Sequence, residues 1–140
     1  MKLFLDTSVL LSACGSARGA SRCIIEEARS QAWELVSADY CREEAVRNLG
    51  KLGKSAESYF RATLDRRIDW HLNALTTDDI VVFEKAKDRP VLISALSVNP
   101  AALLTLDRAD FHDRLGRQFY GIEIRTPGEW LMEQREQGFL

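Results

Sequence analysis

Lys2 to Leu11 reads KLFLDTSVLL: a short apolar stretch, an aspartate, two hydroxyl residues and a second apolar run. Lys2 to Leu5 has the length and apolar density of a buried strand, and Thr7 and Ser8 supply the small oxygens that start helices. Asp6 therefore stands at the C-terminal end of a strand. The pattern recurs further on, where Leu103 to Leu106 reads as a strand and Asp107 follows it. In open parallel sheets, ligand sites lie beyond the carboxyl ends of the strands, so these two acids are the first candidates for chemistry.

Working outward, helical spacing covers Ser21 to Gln31, and a second strand is expected at Trp33 to Val36. Ser37 or Asp39 can cap a helix running to about Leu49, which the Gly50 to Gly53 region should end. Another helical stretch is expected from Ser55 to about Leu75. Ile80 to Phe83, β-branched and aromatic, reads as a third strand. Asp88-Arg89-Pro90 then starts a helix that Asn99-Pro100 closes, with an acid at the cap and proline in the first turn. Asp110 to Leu115 reads as a short helix, Gly121 to Ile124 as a fifth strand and Pro127 to Gln137 as a last helix. Strand and helix alternate, which predicts an α/β fold: a parallel sheet of four to five strands with both faces covered.

Residues 1–140 are expected to form one domain, long enough for a core without disulfides or metal staples. No apolar run approaches a membrane span, which predicts a soluble, cytoplasmic protein with no membrane partner. Cys14, Cys23 and Cys41 have no zinc or redox spacing and are expected as free thiols. A net charge of -2 argues against bulk coating of nucleic acid, because phosphate binding needs basic surface. The charge is uneven, however. Between Arg47 and Arg67 six cations (Arg47, Lys51, Lys54, Arg61, Arg66 and Arg67) face only Glu57 and Asp65. A solvated helix face explains such a stretch about as well as a binding surface does.

Two more acids join Asp6 and Asp107. Asp88 follows the expected third strand at the start of a helix placed beside the first. Helical angles choose Glu44 over its neighbour: Cys41, Ala45, Leu49 and Leu52 form one stripe, with Glu44 at its margin and Glu43 nearly opposite. Asn48, one turn on, falls on the same side, where it can hold a water or orient the carboxylate. Four acids at one sheet edge repel one another and raise their own pKa values unless a cation joins them. Oxygen-only ligands select Mg2+ or Mn2+, bound partly through water or as two ions about 3.5 to 4 Å apart. Such a metal activates a water and offsets charge developing on a phosphodiester, so no nucleophilic side chain is needed. Each acid alone reads more readily as a helix cap, a turn acid or, for Glu44, a solvated helix residue, and the joint pattern carries the expectation.

The four segments LFLDTSVLLSA, EEAVRNL, KDRPVLISAL and LLTLDRADF resemble the PIN-domain family, above all its bacterial toxin members of the VapC kind. The resemblance runs through nearly the whole chain in order and spacing. It implies an α/β/α sandwich, Asp6, Glu44, Asp88 and Asp107 as catalytic metal ligands, and Asp110 as an outer carboxylate. It gives Ser8 and Thr105 supporting places beside the acids. It further implies Mg2+- or Mn2+-dependent ribonuclease activity on RNA, a cognate antitoxin partner and a homodimer. Leu106 departs from the family, which commonly has glycine before the fourth acid, and Ala101-Ala102 stand where an acid often precedes the strand. Arg18, Arg22 and Arg89, in segments expected to border the cleft, are candidates for RNA or antitoxin contact.

Other readings lack their signatures. A response-regulator receiver wants an acidic pair after the first strand, and a haloacid-dehalogenase phosphatase wants an aspartate where Ser8 stands. No phosphate-cradling glycine loop occurs. A PIN-fold binding module with weak or no catalysis is the alternative in a different class, disfavoured by the intact acid set. His71 and His112, and Trp33, Trp70 and Trp130 with Tyr59 and Phe60, are expected in structural roles rather than as bases or base-stacking platforms.

Overall fold

The computed structural model describes residues 1–71, 94–95, 97–107, 118–119 and 121–138. The expected third strand at Ile80 to Phe83, and with it Asp88, Arg89, Asp110 and His112, lie outside the described residues.

β1 (Lys2–Leu5) is the centre of the sheet, paired in parallel with β2 (Glu34–Ala38) on one side and β4 (Ala102–Leu104) on the other. Phe4 stands opposite Val36 in one neighbour and Leu103 in the other. Successive strand residues point to opposite faces, yet Leu3, Phe4 and Leu5 are all fully buried, so both faces of the sheet are covered. β3 (Asp69–His71) pairs with β2, and β6 (Ile122–Arg125) with β4, both in parallel; β5 (Gln118–Phe119) runs antiparallel to β6. The order is β3-β2-β1-β4-β6-β5. Five parallel strands and their helices form the expected α/β architecture, consistent with a three-layer sandwich.

The helices are α1 (Thr7–Gly15), α2 (Ala20–Gln31) and α3 (Asp39–Leu49), a 3-10 turn at Gly50–Leu52, then α4 (Lys54–Tyr59), a π turn at Phe60–Leu64, α5 (Asp65–Arg67) and α6 (Pro127–Glu136). α1 packs against α2, α3 and α4, and α6 against α2. Trp33, just after α2, meets Trp130 of α6 edge to face, with ring centroids 6.0 Å apart and planes at 71°. α6 starts with a full capping box: Thr126 Oγ1 accepts the Glu129 N–H at 3.1 Å and the Glu129 carboxylate accepts the Thr126 N–H at 2.9 Å. Ser94, Ala95, Ser97 and Val98 are helical and Asn99 takes a left-handed φ of 48°, so the chain breaks at Asn99-Pro100 as expected.

The helix expected from Ser55 to Leu75 is corrected: it ends at Arg67, and Asp69 to His71 pair with Val36 to Ala38 as a strand. No glycine or proline marks this break. Tertiary contacts make it: the Trp70 indole N–H donates to the Asp65 carbonyl at 3.1 Å, while Arg42 clasps Asp65 through two bonds of 2.8 and 2.9 Å. His71 accordingly belongs to a strand, not a helix. Neither Ser37 nor Asp39 caps α3; Ala38 holds the cap position, and Ser37 Oγ donates to the Leu5 carbonyl at 2.6 Å. Cys14, Cys23 and Cys41 are free thiols. No helix among the described residues is long and apolar enough to cross a membrane.

Candidate active site

The strand order reverses between β1 and β4, so a crevice opens where their carboxyl ends diverge. Asp6 directly follows β1, Asp107 lies just past β4, and a backbone bond from the Asp6 N–H to the Leu104 carbonyl at 3.0 Å ties the two chain ends together. Asp6 occupies the N-cap position of α1 but its carboxylate makes no capping bond. Its Oδ2 instead accepts the Ser8 hydroxyl at 3.0 Å and the Thr105 hydroxyl at 2.8 Å. The plain helix-cap reading of Asp6 therefore does not describe this side chain.

Thr105 is the hinge of the arrangement. Its Oγ1 donates to Asp6 and accepts the Asp107 N–H at 3.0 Å, so one buried hydroxyl fixes both acid segments. Ser8 does the same from the α1 side, its Oγ accepting the Leu106 N–H at 3.0 Å. Leu106 needs no left-handed backbone, and its side chain is 46% exposed. The residue in the glycine position thus leaves the hydroxyl bridge intact.

Asp6 is only 7% exposed, and burial raises its pKa above the usual carboxylate value. The Thr105 and Ser8 hydroxyls and the Thr7 N–H pull it down, and the Glu44 charge pushes it up again. Glu44, on α3, thus acts on Asp6 through its charge, as the smallest of these causes. No Lys, Arg or His pairs with Asp6 among the described residues. A buried carboxylate without a cationic partner is costly as an anion.

Two neighbours of the acids escaped the sequence reading. Tyr40 donates its hydroxyl to the Glu44 carboxylate, and burial together with Glu44 raises the phenol pKa. Its position four residues before Glu44 was the available signal, since that spacing shares a helix face. Cys41 is fully buried against Asp6, with its thiol pushed up to about 11 by burial and then by the Asp6 charge. Nothing in the sequence separates it from an ordinary core cysteine.

Asn48 lies on the Glu44 side of α3, but its amide donates to the Glu44 backbone carbonyl at 2.8 Å and its oxygen accepts Lys51 Nζ at 3.0 Å. Its amide group is thus engaged with the helix rather than with the carboxylate. Arg22 closes the far end of α1: Nε donates to the Ala13 carbonyl at 2.6 Å, Nη2 to the Cys14 carbonyl at 3.1 Å, and the guanidinium stacks 3.5 Å from the Tyr59 ring. That end is about 12 Å along the helix axis from Asp6, so Arg22 does not border the acids. Arg18, in the α1–α2 loop, is exposed beside a groove between α2 and α6 that Cys23, Leu131 and Arg135 also line.

A chain in the crystal structure of VapBC2 from Rickettsia felis, bound to a DNA fragment from their promoter, superposes on 90% of this chain and 98% of its own length. The TM-score is 0.60 at 13% sequence identity. The likeness is one of fold. No protein-family model and no curated protein sequence matches the chain.

Among the described residues no three His, Cys, Asp or Glu side chains converge closely enough to hold a metal ion by themselves. The donors that are present nevertheless fit a hard divalent cation. They are carboxylate oxygens; one is buried without a cationic partner, and a second acid repels it. Magnesium takes one or two direct carboxylates and keeps its remaining waters.

Proposed function

We propose that this chain is a metal-dependent endoribonuclease that hydrolyses RNA phosphodiester bonds through an activated water, and that it is the toxin of a toxin–antitoxin pair. The observation that carries the reading is the buried Asp6 carboxylate at the sheet's switch point, bound by hydroxyls to the Asp107 segment and repelled by Glu44. Asp6, Glu44, Asp88 and Asp107 hold Mg2+ or Mn2+, with Asp110 outside them. A divalent ion there lowers the pKa of a coordinated water and offsets charge developing on the scissile phosphate.

The chain's own residues do the rest. Ser8 and Thr105 fix the Asp6 carboxylate so that one oxygen is engaged by hydroxyls. Thr105 sets the Asp107 backbone, and Tyr40 restrains the Glu44 carboxylate. This is preorganisation: the acids are held in place before substrate arrives. The Rickettsia felis neighbour, a VapBC assembly on promoter DNA, supports a cognate antitoxin as partner. Homodimer formation belongs to the same reading.

Cleavage of RNA single strands by the full chain, stimulated by Mg2+ or Mn2+ and abolished by EDTA, tests it. Asp6→Asn and Asp107→Asn should each lose at least a hundredfold in rate while remaining folded. The wild-type unfolding temperature should rise with added Mn2+, since an ion that binds only the folded state stabilises it by mass action. Undiminished cleavage by both variants rejects the assignment. No cleavage together with no metal-dependent shift favours the binding-only module.

A further inference from the structure

α3 carries more than Glu44 toward solvent. At 100° per residue, Tyr40 and Arg47 fall within about 60° of Glu44 around the helix axis, and Lys51 follows in the 3-10 turn on the same side. The buried stripe of Cys41, Ala45 and Leu49 lies elsewhere. Arg47 is exposed, and its charge is felt by Tyr40, the residue bonded to Glu44. Among the described residues no hydrogen bond or ion pair engages Arg47. Glu43, four residues before it, makes no ion pair with it and acts instead on Arg42. Lys51 is exposed and, among the described residues, bonds only the neutral Asn48 oxygen, which carries no charge to match it.

Of the other cations of the basic stretch, Lys54 and Arg66 are also exposed and make no ion pair among the described residues, but they stand on α4 and α5 rather than beside Glu44 on α3; the rest, with Arg42, are paired. Arg42 is clasped by Asp65 at 2.8 Å, Arg67 meets Glu26 at 3.5 Å and Arg61 meets Glu57 at 3.8 Å. The unmatched charge that continues from the Glu44 face is therefore that of Arg47 and Lys51. Helical side chains lean toward the helix N-terminus, so both reach back toward the edge where Asp6 and Asp107 stand. They are about 6 Å apart along the axis, a file one cation wide. A file suits the phosphates of one strand, whereas a duplex presents two phosphate rims across a groove.

We infer that Arg47 and Lys51 form a phosphate-tracking file that seats the backbone of single-stranded RNA against α3 as it leaves the carboxylate site. The inference rests on the nuclease reading and deepens it. It also answers an electrostatic problem: a chain with a net charge of -2 and a carboxylate site repels a polyanion unless cations beside that site guide it.

The test is fluorescence anisotropy of a short labelled RNA single strand with the full chain, carrying Asp107→Asn to stop cleavage, in Mg2+ at several salt concentrations. Arg47→Ala with Lys51→Ala should weaken binding at low salt and reduce the log–log salt slope by about 1.4, at about 0.7 per lost phosphate contact on a single strand. Arg47→Lys should restore its share, and Arg135→Ala, on α6, should change nothing. Both file residues are exposed, so circular dichroism of the double variant should match the parent. An unchanged slope, a loss equal to that of Arg135→Ala, or preference for duplex overturns the file. If wild type cleaves RNA while the double variant binds as the parent does, the file falls and the nuclease reading stands. If binding depends on the file but no metal supports cleavage, the nuclease reading falls and the file stands. Absence of RNA binding by the parent overturns both.

Discussion

Thr105 carries the largest structural share of the site for its size. One hydroxyl serves Asp6 as donor and the Asp107 N–H as acceptor, from a position 2% exposed. Thr105→Val keeps the volume and removes both bonds, which should cost about 1–3 kcal/mol in metal-free protein at neutral pH. The sign of the pH dependence follows from Asp6. A carboxyl whose folded pKa is raised above the unfolded value of 3.8 lowers stability at high pH, and that cost is relieved as pH falls through the folded value toward 3.8. Losing the Thr105 bond raises the Asp6 pKa further, so the Val variant should lose more stability at about pH 8 than at about pH 4. Denaturant titrations in EDTA at both values check this, and an equal loss at both would show that Thr105 does not act through Asp6. Asp6 was legible in the sequence because it directly follows an apolar strand, at the edge where parallel sheets place their sites. Its hydroxyl partners were legible only through the family resemblance; Tyr40 had only its spacing from Glu44 to mark it, and Cys41 not even that, since its place comes from packing against Asp6.

At the scale of elements, local signals located most boundaries. β1 came from three adjacent apolar residues, the break after the Ser94–Val98 segment from Asn99-Pro100, and α6 from Pro127 onward; the structure adds a full capping box of Thr126 and Glu129 at its start. Thr126→Ala should therefore cost about 1 kcal/mol, seen as a lower denaturation midpoint with an unchanged slope; a change within about 0.3 kcal/mol would mean that packing alone holds α6. The strand at Asp69–His71 was not legible. Its residues carry no strand pattern, no breaker precedes it, and its stability comes from pairing with β2 and from Arg42, which clasps Asp65 and lies near the Phe60 and Trp70 rings. Those partners are far apart in sequence, and local reading cannot weigh them.

For the whole molecule, strand–helix alternation was enough to predict the parallel α/β architecture, and the order β3-β2-β1-β4-β6-β5 then fixes where a site belongs. The pairing of strands distant in sequence brings the Asp6 and Asp107 segments together through Thr105. The Trp33–Trp130 contact has a consequence of its own. Two indoles 6.0 Å apart and inclined at 71° share their excited states, so the folded protein should give a paired positive and negative band in far-ultraviolet circular dichroism. Trp130→Phe should erase the doublet while the helical signal persists, and survival of the doublet in that variant would assign it to other chromophores. The pair then acts as an optical gauge of whether the C-terminal helix is seated, readable without any attached dye.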